Sequence, residues 1–117
     1  MYERLRYIIT NVSHARGNHM GYDLYLEKDD HTLRVEVKGC SKLYQIPDLY
    51  ATEIDRDTLQ LVADELCVVY LVGDAPVQIA RIPREALQPE HIIPKYGYRI
   101  SGRFKNERTI KPYLIQK

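Results

Sequence analysis

Asp23, Glu36 and Lys38 are the residues of this chain whose types and spacing suit chemistry. They flank a stretch, Gly21 to Lys38, that alternates apolar and polar residues on both sides of Asp29-Asp30. A two-residue turn at Asp29-Asp30 makes a hairpin in which Lys28 faces His31, Leu26 faces Leu33 and Leu24 faces Val35. Tyr22, Leu24, Leu26, Leu33, Val35 and Val37 then share one face, apolar apart from a single phenol, as a core-facing surface requires. The other face carries Asp23 opposite Glu36, Tyr25 opposite Arg34 and Lys38 opposite Gly21. Like charges directly opposed on neighbouring strands repel. A divalent cation offsets that repulsion, and carboxylate oxygens are the ligands Mg²⁺ prefers. Glu36 and Lys38, two apart on one strand, project from the same face. Two acids for a metal and a lysine beside it suit phosphodiester hydrolysis: the ion polarises the phosphoryl oxygen and acidifies water, and the lysine steadies the water or the developing charge. The same register also accommodates a plain solvated face, with Arg34 and Lys38 pairing to Asp23 and Glu36.

The elements that must hold these residues follow from periodicity. Residues 2–12 place Leu5, Ile8, Ile9 and Val12 at helical spacing. The hairpin spans 21–28 and 32–39. A weak strand interrupted by Pro47 is expected within 43–52. Residues 55–65 read as a helix with acids in its first turn. Residues 66–72, Leu-Cys-Val-Val-Tyr-Leu-Val, read as a strand buried on both faces. Residues 77–82 alternate as a further strand, and Pro83 opens a short helix. The tail offers strands near 96–101 and 109–115. The order predicts one α/β (α+β) domain over residues 1–117, a central mixed β-sheet flanked by helices, with a basic β extension at about 95–117.

The form Gly21-Tyr22-Asp23 followed by Val35-Glu36-Val37-Lys38-Gly39 resembles the Asp-X(n)-Glu-X-Lys signature of the PD-(D/E)XK, or restriction endonuclease-like, nuclease superfamily. The likeness covers roughly residues 2–72. It implies a core running helix, three strands, helix, strand, with the metal site on strands two and three. It further implies a Mg²⁺- or Mn²⁺-dependent deoxyribonuclease, a hydrolase acting on ester bonds. Asp23 and Glu36 would bind the metal, the carbonyl of Val37 would be a further ligand, and Lys38 would position the attacking water. Glu3 is the acid available on the first helix to complete the site. Glu53 lies where relatives place supporting contacts, and Lys42, just past the signature, is placed to meet a phosphate. Tyr25, on the same face as the acids, is placed to meet a nucleotide. The alternative on the same scaffold is a catalytically inactive nucleic-acid-binding or assembly module.

Composition narrows the partners. The 117 residues are 44% hydrophobic and 28% charged, enough for one core. Lys/Arg and Asp/Glu nearly balance, but residues 95–117 hold seven Lys/Arg against one Asp/Glu, and residues 43–94 hold three against nine. Arg99, Arg103, Lys105 and Arg108, interleaved with Tyr96, Tyr98, Phe104 and Tyr113, make the candidate nucleic-acid surface, DNA in preference to RNA. Taken alone, that segment also reads as a strand pair with solvated basic edges. No apolar run reaches membrane-span length. Two isolated cysteines, Cys40 and Cys67, make no zinc framework, and a cytoplasmic setting is expected. So small a domain leaves room for a homodimer or a place in a larger complex. His14 and His19 read as ordinary loop histidines.

Overall fold

The computed structural model describes residues 8–11, 23–28, 30–95 and 97–115. Its centre is a five-stranded mixed sheet in the order β1-β2-β3-β6-β7, made of β1 (Ile8–Asn11), β2 (Leu24–Lys28), β3 (His31–Cys40), β6 (Glu65–Tyr70) and β7 (Gln78–Pro83). Two small two-stranded sheets accompany it, β4 (Ile54–Asp55) with β5 (Gln60–Leu61), and β8 (Ile92–Pro94) with β9 (Tyr98–Ile100). Among the described residues the helical pieces are short: 3₁₀ turns at Ala51–Glu53, Arg84–Ala86, Pro89–His91 and Lys111–Tyr113, and one α-turn at Glu107–Ile110. The chain is therefore an α+β fold built on a mixed sheet. Among the described residues no helix is long and apolar enough to cross a membrane.

The hairpin register is the one its alternation dictates: Leu24 pairs with Val35, Leu26 with Leu33 and Lys28 with His31. The apolar run becomes β6, which lies parallel to β3 with Val37 beside Cys67 and Lys38 beside Val68. Parallel neighbours cannot be joined by a tight turn. Residues 41–64 therefore form a return leg across one face of the sheet. The main core fills that face: Leu66, Val68 and Tyr70 of β6 and Ile82 of β7 meet Ile54 and Leu61 from the return leg and Ile100, Phe104 and Ile110 from the tail. The opposite face carries a smaller cluster of Leu26, Val35 and Cys67. Tyr70 anchors the return leg by donating its hydroxyl to the Gln45 carbonyl at 2.9 Å. Burial raises that phenol well above its usual range.

Four expectations change. Residues 8–11 of the expected first helix are strand β1, paired with β2. Ile8-Ile9-Thr10 is a run of β-branched side chains, which favours the extended state over the helix. The rest of that helix, with Glu3, lies outside the described residues. The 43–52 segment adds no strand to the sheet and contributes one bridge, Leu49 to Tyr98. The expected helix at 55–65 stops after one turn. The Asp55 carboxylate accepts the N–H groups of Asp57 and Thr58 at 2.9 and 3.1 Å, as a helix cap would. Leu59 then turns left-handed at φ 53°, and Gln60-Leu61 pairs back on Ile54-Asp55. The tail forms a strand at Tyr98–Ile100 and a single bridge from Leu114 to Ala80 in place of the expected strand near 109–115. Near its end Asn106 caps a helical turn by accepting the Thr109 N–H at 3.0 Å, and Pro112 has no N–H to offer a ladder. With Ile100, Phe104 and Ile110 in the main core, the tail is integral to the domain and not an extension of it.

Asp64 ties the return leg to both β3 and the segment after β7. Its carboxylate accepts the Arg34 backbone N–H at 2.9 Å, the Arg34 guanidinium at two atoms and Arg84 Nη2 at 3.2 Å. Its own N–H reaches the Arg34 carbonyl at 2.8 Å. Partial burial works to raise the Asp64 pKa, but these hydrogen bonds and the two cations outweigh it, so the carboxyl is held below its usual value. A depressed acid stabilises the fold above its unfolded pKa, roughly 3.9, and that contribution fades as pH falls through the folded value. Asp64→Asn is therefore expected to be less stable than the parent protein at pH 7, with the gap closing on acidification below about pH 4. Urea unfolding at both pH values tests this, and a gap independent of pH would contradict it.

Candidate functional site

Four acidic or basic side chains from three stretches of backbone converge on the main-core face of the sheet. Glu36 and Lys38 stand on β3, which fixes them two residues apart and on one side. Glu53 closes the 3₁₀ turn of the return leg. Asp23 sits at the bend where the chain enters β2.

Asp23 departs from the simple ladder. Its N–H donates to the Val35 carbonyl at 2.8 Å, although Val35 already pairs with Leu24. The backbone is thus one residue out of step, which swings Asp23 out of direct opposition to Glu36. Its Oδ2 accepts the Val37 N–H at 2.9 Å, so the side chain takes the place of a ladder partner at the end of β2. Val37 itself points to the other face, with the Leu26 cluster.

Glu36 is the least comfortable group among the described residues. It is 2% exposed, and its Oε1 is buried with no hydrogen-bond partner. Burial first, then hydrogen bonding with the carboxyls of Glu53 and Asp23, then their negative charge, push its pKa up to about 10. Lys38 relieves this only in part. Its ammonium lies 3.7 Å from Glu36 Oε2 but grips Glu53 with both oxygens, at 2.8 and 3.0 Å. Glu53 is 3% exposed. The same carboxylate accepts the Tyr50 N–H at 2.7 Å, while the Glu53 N–H returns to the Tyr50 carbonyl at 2.9 Å. That reciprocal pairing seats Glu53 over β3. The Tyr50 ring then covers the ammonium, 4.4 Å from nitrogen to ring centroid, a cation–π distance.

Of the simple pairings read from sequence, Lys38 keeps an approach to Glu36 at 3.7 Å but lies closer to Glu53, and Arg34 pairs with Asp64. Of the supporting residues named from sequence, Glu53 enters the site. Tyr25 packs against Ala63, and Lys42 is exposed in the turn after β3. Arg99, Arg103 and Arg108 are exposed on the tail, and Lys105 is partly covered, its carbonyl accepting Gln45 Nε2 at 3.3 Å. The tail is tied to the site's margin: Leu49, which precedes Tyr50, exchanges two 2.8 Å backbone hydrogen bonds with Tyr98, which precedes Arg99. Tyr50 is the residue that sequence reasoning passed over. Its signal was local, an aromatic three residues before a glutamate at the start of a short turn.

Among the described residues no group of three or more His, Cys, Asp or Glu side chains is arranged to enclose a metal ion. The donors present are nevertheless hard oxygens, and one of them, Glu36 Oε1, is buried without a partner. That set does not suit zinc, which takes nitrogen and sulfur in closed tetrahedra. It fits Mg²⁺, which keeps several waters and takes one or two carboxylates. No family model, curated protein or solved structure matches the chain.

Proposed function

We propose that this chain is a Mg²⁺- or Mn²⁺-dependent nuclease that hydrolyses phosphodiester bonds in DNA, on a restriction endonuclease-like core. The observation that carries the reading is Glu36: a buried acid with an orphaned oxygen, crowded by two more acids, on the same strand face as a lysine. Asp23 and Glu36 would hold the ion, together with the Val37 carbonyl. The metal supplies a Lewis acid for the phosphoryl oxygen and a bound water of lowered pKa. Lys38 orients the attacking water and meets the charge that develops on the phosphate. Glu53 aims Lys38, and the Tyr50 N–H aims Glu53 in turn. The reading is supported by Asp23 at the mouth of the second strand and Glu36 and Lys38 on the third. In the sheet, three successive strands are followed by a return leg, without the helix the resemblance implies there, and a parallel fourth strand. The basic tail supplies charge for the polyanion backbone, and its tie at Leu49–Tyr98 brings it to the site's margin.

Asp23→Ala and Lys38→Ala are each expected to lower cleavage at least a hundredfold, a loss of about 3 kcal/mol of transition-state stabilisation. The assay is a panel of single-stranded, duplex and branched DNA with Mg²⁺ and with Mn²⁺, alongside circular dichroism to confirm folding. Cleavage that persists in both variants would refute the assignment. A second reading, an inactive binding or assembly module on the same scaffold, is favoured by one feature: Lys38 is already gripped by both oxygens of Glu53. DNA binding with no cleavage under either metal would select it.

A further inference from the structure

Tyr50 is 68% exposed, yet its backbone is among the most firmly held around the site. Its N–H is bound by Glu53 Oε1 at 2.7 Å and its carbonyl by the Glu53 N–H at 2.9 Å. Leu49, just before it, is clamped on Tyr98 by two hydrogen bonds of 2.8 Å. The clamp is close enough to demand glycine at position 97, where a Cβ would collide with the Leu49 carbonyl oxygen. A large aromatic presented to water on so fixed a backbone contributes little to the core. The Lys38 ammonium lies against the ring, 4.4 Å from its centroid, and the ring's remaining surface is open. The cation polarises the ring and ties its position to the residue assigned to the attacking water. Arg99 follows Tyr98 on the strand clamped to Leu49, and its side chain is exposed.

A flat, rigid ring beside a phosphate-directed lysine is the platform on which a nucleobase stacks. Bases inside a duplex are stacked on one another and present only their edges, so such a ring reaches a base only where it is unpaired or turned out of the helix. We propose that Tyr50 stacks an unpaired nucleobase next to the scissile phosphate, and that the substrate is single-stranded or locally opened nucleic acid in preference to intact duplex. This inference rests on the nuclease reading for the position of the phosphate, but stacking itself can be measured without cleavage.

The experiment uses the full chain and an oligonucleotide carrying a fluorescent 2-aminopurine base, as a single strand and as a blunt duplex. Binding is measured without divalent cation, and cleavage separately with Mg²⁺ and Mn²⁺. Tyr50→Ala and Tyr50→Leu are expected to lose roughly five- to a hundredfold in single-strand affinity along with the quenching of 2-aminopurine. Tyr50→Phe should keep both within about twofold, since it retains the ring face. Duplex affinity should be the same in all four proteins. Because the side chain is mostly exposed, thermal unfolding should be little changed, and the phenylalanine variant keeps the test valid if the smaller ones are perturbed. Leucine substituting fully for tyrosine, equal losses on single strand and duplex, or no binding to either oligonucleotide would overturn the platform. Cleavage without any dependence on Tyr50 would overturn it alone. Tyr50-dependent stacking with no cleavage under either metal would support the platform and defeat the nuclease reading.

Discussion

Glu36→Gln is expected to abolish cleavage while making the metal-free protein harder to unfold. The two effects share a cause. Between about pH 4.5, its ordinary value, and about 10, the native protein holds a proton on Glu36 that the unfolded chain releases. The folded state then binds more protons than the unfolded one, so this residue makes stability fall as pH rises across that window. Glutamine has nearly the shape of the protonated acid. It can donate to the carboxyls of Asp23 and Glu53 as the acid does, and it has no charge to suppress. The variant should gain about 1–3 kcal/mol at neutral pH, the usual penalty of a buried polar group left unsatisfied, and the gain should grow from pH 5 to pH 9. Added Mg²⁺ should then stabilise the parent protein and leave the variant unmoved, because only a state that binds the ion is favoured by it. Urea unfolding over this pH range, with and without Mg²⁺, reads all three. A variant less stable than the parent protein at pH 8 would show that Glu36 is a structural member of an ion-pair network and not a group strained for function.

Glu53→Ala is expected to cost about 3 kcal/mol, the loss seen when one partner of a buried pair is removed. The variant strands the Lys38 ammonium, only 12% exposed, with the 3.7 Å approach to Glu36 as its remaining short contact to an acid among the described residues. It also leaves the Tyr50 N–H without its acceptor. Glu53→Gln should lose less, since its amide oxygen still accepts that N–H. The decisive measurement is a double-mutant cycle with Lys38→Met. If the pair is buried and coupled, removing both partners costs less than the sum of the single losses by at least about 1 kcal/mol. Additive losses, or a cost below about 0.5 kcal/mol for Glu53→Ala, would mean that water already screens the contact.

What could be read from the residues was what local rules determine. The β2–β3 register follows from alternation and turn length together, because a slip by one residue would bury Glu27 and Arg34 in place of Leu26 and Val35. The apolar run of β6 needs no partner to be recognised as buried. The failures lie where a tertiary or turn effect overrode a weak periodic signal. Residues 8–11 carry a helical spacing that their β-branched side chains contradict. Asp55 announces a helix start that Leu59 cancels at once by turning left-handed. The site was legible in its β3 half, since Glu36 and Lys38 share a strand. Glu53 was reached through the family resemblance and not through spacing, because its position depends on how residues 41–52 travel back over the sheet, including a left-handed turn at Tyr44 with φ 66°. The step at Asp23 also escaped sequence reasoning, since a bulge leaves no mark on the alternation pattern.

The parallel pairing of β3 with β6 has a mechanical side. A hairpin would have carried both halves of the Lys38–Glu53 contact on one rigid ribbon. Here the ammonium rides on the ladder and the carboxylate on a separate span arching over it. Moving that arch away would unclasp the lysine without breaking a rung of β3. On the nuclease reading, the lysine's freedom to turn toward a phosphate would be governed by the arch and not by the sheet.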